Sequence, residues 1–156
     1  MSAREDILAR YLELAEAVKT ADITIKSVVR NRGPRQTDAR PCLVLLDGDE
    51  STTLQPPRTG RGGQRMPPFL ATMTPELFIL LEEARPNLET VGTRLNAYRD
   101  ALLKAVALDD VILSLITTNG RVQYLRMATD LKSGSALAGE MRLDFAFTYL
   151  VNPAAL

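Results

Sequence analysis

Along the first twenty residues the apolar positions Ile7, Leu8, Tyr11, Leu12, Ala15 and Val18 recur every three or four places, while Glu5, Asp6, Arg10, Glu13, Glu16 and Lys19 fill most of the other side. That spacing predicts a helix with one buried face. Ser2 and Glu5 stand in the S-x-x-E relation of a capping box, so the helix is expected to begin at Ala3 and to end near Ala21. The same period returns in Leu88, Val91, Leu95, Tyr98, Leu102 and Val106, introduced by Pro86 and Asn87, and predicts a second helix over 88–107.

Between and after these stretches the pattern shortens to a period of two. Residues 23–29 and 42–46 read as strands, separated by the turn-rich run NRGPRQTDARP. Residues 69–83 return to β character, with Met73, Leu77, Ile79 and Leu81 largely on alternate positions and Pro75 marking a bulge, an edge or a strand start. The run VILSLIT is apolar but too short for its period to assign it to either class. Asn119-Gly120 is a two-residue hairpin signal, which predicts strands on both sides of it. Residues 121–131 and 139–151 form the last two strands, and the final one alternates cleanly: Met141, Leu143, Phe145, Phe147 and Tyr149 face one way, Arg142, Asp144, Ala146 and Thr148 the other. The order predicts a single α+β domain over residues 1–156, with two amphipathic helices packed on one face of a mostly antiparallel or mixed sheet and the 139–151 strand central or nearly so.

Composition narrows the chemistry. Apolar residues make up 46% of the chain and charged ones 24%, the balance of an ordinary globular domain. Lys plus Arg equals Asp plus Glu at 19 each, so no net field draws the whole chain to nucleic acid or a membrane, and any electrostatic partner must be local. The chain contains no histidine, which removes Ser-His-Asp triads, Cys-His pairs and the usual zinc ligands together. The single Cys42, within PCLVLL, reads as a buried thiol. The pairs Glu82-Glu83 and Asp109-Asp110 read as solvated faces, because adjacent side chains diverge. The fragment DGDES at 47–51 imitates the opening of a calcium loop, but Thr52 and Arg58 occupy the positions that need glycine and glutamate, so it reads as a turn after a buried strand. The run GRGG at 60–63 lacks the lysine and hydroxyl of a phosphate cradle. The expectation is a protein that is not an enzyme and carries no cofactor or metal. The opening residues lack a signal-peptide core and no apolar run approaches a membrane span, so the chain is expected in the cytoplasm where it is made.

Residues 48–68 are set apart by four prolines, four glycines and an absence of acids after Ser51. They read as a mobile loop carrying Arg58, Arg61 and Arg65. These three arginines keep a loop soluble in one reading; in the other they are an interface element that meets an acidic neighbouring surface or DNA and orders only on assembly.

The opening SAREDILARYLELA, the VLLDGDE turn, the MTPELFILLEE strand, TNGRVQY and above all the ending GEMRLDFAFTYLVNPAAL resemble prophage tail-module proteins of the tail terminator family, the tail-completion proteins similar to minor tail protein U. The similarity lies in the order of elements and in the last strand and covers nearly the whole chain. It implies a structural virion protein of the phage tail and neck: a homo-oligomeric, hexameric ring that caps the tail tube protein, stops tube polymerisation and offers a head-attachment surface to a head-tail connector protein, with DNA passing through the lumen. The alternative is another neck or connector ring, a stopper or adaptor, of the same particle. The resemblance carries no catalytic or cofactor residues.

Overall fold

The computed structural model describes residues 2–18, 23–52, 66–83, 88–116, 119–132 and 137–156. Helix α1 spans Ala3–Ala17 and starts as its cap dictates, with the Glu5 amide donating to Ser2 Oγ at 3.4 Å. Only half of the capping box forms, because the Glu5 carboxylate turns to Arg30 instead of to its own helix. The remaining elements are β1 (Ser27–Arg30), β2 (Cys42–Thr52), β3 (Phe69–Glu83), α2 (Leu88–Ala107), α3 (Asp110–Ile116), β4 (Arg121–Lys132), β5 (Leu137–Val151) and a closing 3-10 turn, Pro153–Ala155.

The strands form one mixed sheet in the order β1-β2-β3-β5-β4, with β1 parallel to β2 and every other pair antiparallel. α1, α2 and α3 share a single core with the inward residues of the sheet: Ile7, Leu8 and Tyr11 from α1, Val91, Leu95 and Tyr98 from α2, and Met141, Leu143, Phe145, Phe147 and Tyr149 from β5. The fold is therefore α+β with the helices on one face, and β5 stands one place in from the edge. Phe145 and Phe147 both pack on the Tyr11 ring, with centroids 5.4 and 5.3 Å away. The Tyr98 hydroxyl donates to the Ala15 carbonyl, which locks α2 to the end of α1. On the opposite face Val29, Cys42 and Val44 make a smaller cluster, so the thiol is buried as its apolar neighbours require.

Several local expectations are corrected. α1 ends at Ala17 rather than near Ala21, because Val18 leaves the helix in an extended conformation; residues 19–22 lie outside the described residues. β1 starts at Ser27, later than expected, and Ile23 makes an isolated bridge. β2 does not stop at residue 46, and no loop begins at 48: the strand runs on to Thr52 through a bulge. The DGDES fragment is thus part of a strand and not a turn. Its Gly48 adopts φ +69°, and a Cβ there would lie 2.0 Å from the Thr74 carbonyl oxygen, so the backbone of β3 at Thr74-Pro75 can close on β2 only over a glycine. Of the run VILSLIT, residues 111–116 fold within the helix α3, and Thr117 lies outside the described residues. Consequently Asn119-Gly120 is no hairpin but the junction between a helix and β4. Gly120 is needed all the same, since a Cβ there would meet Ile116 O at 2.1 Å and Thr148 O at 2.4 Å.

Candidate assembly surface

The outstanding surface lies where α2, α3 and β4 meet. α2 ends at Ala107, and two residues later Asp109 caps α3: its Oδ2 accepts the Ile112 amide at 2.8 Å. The same carboxylate takes Arg10 Nη2 at 2.7 Å and Arg10 Nε at 3.1 Å, tying α3 to α1. Asp109 is therefore buried and paired, a correction to its reading as a solvated acid; the Arg10 hydrogen bond, opposed by desolvation, holds its carboxyl below the usual range.

α3 buries Ile112 and Ile116, packs Leu115 against the core and turns Val111 and Leu113 outward. Val111 and Leu113 are 45% and 47% exposed, Leu108 beside them is 67% exposed, and Tyr124 and Leu125 on β4 are 41% and 49% exposed. Between Leu113 and Tyr124 lies a depression of about 320 Å³ whose walls also include Leu103, Ile116 and Val122. Among the described residues β4 pairs only with β5, and no described strand lies along its outer edge. A bulge at Tyr124–Arg126 interrupts that edge. Clustered exposed apolar side chains beside an unpaired strand are the features of a surface that meets another chain.

Beside the Val29-Cys42-Val44 cluster, the sheet's outer face over β5 and β4 is polar and internally paired. Asp144 of β5 is buried there and bridges Arg126 Nε at 2.6 Å and Arg142 Nε at 2.9 Å. Arg142 also reaches Glu76 at 3.1 Å and lies 5.6 Å above the Phe78 ring. Glu76 and Asp144 are directly opposed across β3 and β5, and the arginine between them offsets their repulsion. At the far end Arg30 grips Glu5 and Asp47, at 2.5 and 2.7 Å, and Arg4 reaches Glu50, which also accepts the Tyr149 hydroxyl. Hydrogen bonding to Arg30, partly opposed by desolvation, lowers the pKa of both Glu5 and Asp47. Asp47, the first position of the calcium-like fragment, is therefore committed to an arginine.

Each of these charged groups is held by an opposite charge across secondary structure, an arrangement that stabilises a fold rather than one that poises an acid against a base. The sequence-predicted interface residues Arg58, Arg61 and Arg65 lie outside the described residues, as does most of the 48–68 stretch. The α2–α3 corner carries no signal that period alone could have read; its one trace is that the five apolar residues of 111–116, wound as a helix, spread over more than one face and must expose part of themselves. No protein-family model matches the chain, and no curated protein matches it.

Proposed function

We propose that this chain is a structural subunit of a phage tail, a terminator that assembles as a ring on the end of the tail tube, halts tube growth and offers a surface to the head-tail connector. The observation that carries the reading is the exposed apolar corner of Leu108, Val111, Leu113 and Tyr124 beside the open edge of β4. Such a surface is a liability on a lone subunit and an asset on one that is repeated around a ring, where each copy covers the next. The resemblance of the last strand and of the element order to tail terminators supplies the particular assembly. It further implies six copies, a lumen for DNA, a place in the virion and no catalytic role.

The direct test adds purified chain to growing tail tubes of the cognate phage and measures tube length and end structure by electron microscopy. Tubes should stop at a uniform length and carry a ring-shaped density at one end. Tubes that elongate unchanged, with no density at either end, would sink the terminator reading; rings found only at the portal end would point to a connector instead.

A further inference from the structure

The carboxy-terminal half of β4 poses a different question from the α3 corner. Beyond the bulge, residues 126–130 run as a regular strand with an open outer edge among the described residues, carrying Arg126, Ala128 and Asp130 on the outer face and Met127 and Thr129 on the helix face. An open regular edge in a free subunit invites another strand, and a second copy of the same edge is always available.

We propose that in the free protein this stretch pairs antiparallel with its counterpart in a second copy, about a two-fold axis at Ala128, to give one continuous ten-stranded sheet, twice the five strands of each chain. The register follows from charge and face. In an antiparallel pair, directly opposed side chains share a face, so a strand can meet itself only about one of its own residues. Centring on Arg126 opposes two arginines, and centring on Asp130 opposes two aspartates; both are unfavourable. Centring on Met127 faces Arg126 with Ala128 and gains no ion pair, while centring on Thr129 faces Asp130 with Ala128 and gains none either. Only the axis at Ala128 sets Arg126 against the Asp130 of a second copy, and does so twice by symmetry. It also faces Met127 with Thr129 on the helix side and places nothing larger than a methyl group on the axis. Arg126 is 61% exposed and makes its bond to Asp144 through Nε, which leaves the far end of the guanidinium for a second carboxylate. An antiparallel junction of this kind keeps both helix layers on one side of the joined sheet. The contact goes beyond the ring reading and does not depend on it.

The test is self-association of the full chain by sedimentation velocity, together with single cysteines on the strand. The wild type should reach a concentration-dependent dimer. Asp130→Lys, which sets lysine against Arg126 twice, should weaken dimerisation at least about tenfold, as expected for like charges directly opposed, with unchanged far-UV circular dichroism. Ala128→Cys should form an intermolecular disulfide under mild oxidation, since the two positions face each other across the axis. Gln123→Cys, on the same edge and face but five residues from the axis, should not. A wild type that stays monomeric to millimolar concentration overturns the proposal, as does crosslinking at 123 but not at 128, or a dimer indifferent to Asp130→Lys. A cyclic hexamer in free solution would overturn it while leaving the ring reading intact.

Discussion

Phe145 sits at the centre of the aromatic cluster, 2% exposed, with Tyr11, Tyr124 and Phe147 around it. Replacing it with Ala should cost about 3–5 kcal/mol, the range for deleting a core phenylalanine, and a denaturant titration reads this directly. Its neighbour Tyr11 behaves in the opposite sense. The Tyr11 hydroxyl is fully buried and finds no hydrogen-bond partner among the described residues, and burial drives its pKa upward. An unsatisfied buried hydroxyl carries a desolvation penalty of about 1–3 kcal/mol, so Tyr11→Phe should leave stability unchanged or raise it by about 1 kcal/mol. A loss of more than about 1 kcal/mol would mean the hydroxyl is bonded. At Gly48 the positive φ and the closeness of the Thr74 carbonyl forbid a side chain, and Gly48→Ala should destabilise by more than about 1 kcal/mol through strain at the bulge.

The elements are joined by long-range ion pairs, and these make stability depend on acid. Glu5, Asp47 and Asp109 are each held below their ordinary pKa by an arginine on another element, and Asp38, bonded to Arg32 and to the Arg35 amide, falls to about 2. A carboxyl with a folded pKa below its unfolded value favours the folded state above the unfolded pKa of about 4. That contribution is lost as pH falls toward and through the depressed values. Thermal stability should therefore be flat from neutral pH to about 5 and decline steeply from about pH 4 toward 2. Asp109→Asn separates the two tasks of that side chain, because asparagine still caps a helix but cannot pair with Arg10. It should cost about 1–2 kcal/mol at pH 7, in line with loss of a charge-assisted bond, and much less at pH 2. An equal cost at both values would show that the Arg10 bridge contributes nothing.

At the scale of the whole molecule the apolar corner and the sheet core make separable predictions. Leu113 is half exposed on α3, so Leu113→Lys should change unfolding free energy by no more than about 0.5 kcal/mol. The same change should abolish capping of tail tubes in the electron-microscopy assay, because it places a charge in the centre of the proposed contact. A variant that still caps tubes would move the contact elsewhere on the molecule.

Where a residue's role is set by its neighbours along the chain, the sequence was a sufficient guide. The faces of α1 and α2, the cap at Ser2 and the alternation of β5 follow from periods of 3.6 and 2 and from local backbone donors, and the structure keeps them. From these alone the α+β class and the one-sided helix layer were legible. The need for glycine at 48 and 120 was not legible, since the carbonyls that exclude a side chain there belong to Thr74, Ile116 and Thr148. Only the tertiary structure decided that residues 111–116 are helical. Five apolar residues in so short a run satisfy either period, and the deciding cap is an aspartate anchored by Arg10, 99 positions earlier. The candidate surface was hidden for the same reason. Whether Leu113 or Tyr124 faces core or solvent depends on which strand lies at the edge of the sheet and on which side of α3 turns inward, and both are settled by packing between segments far apart in the chain.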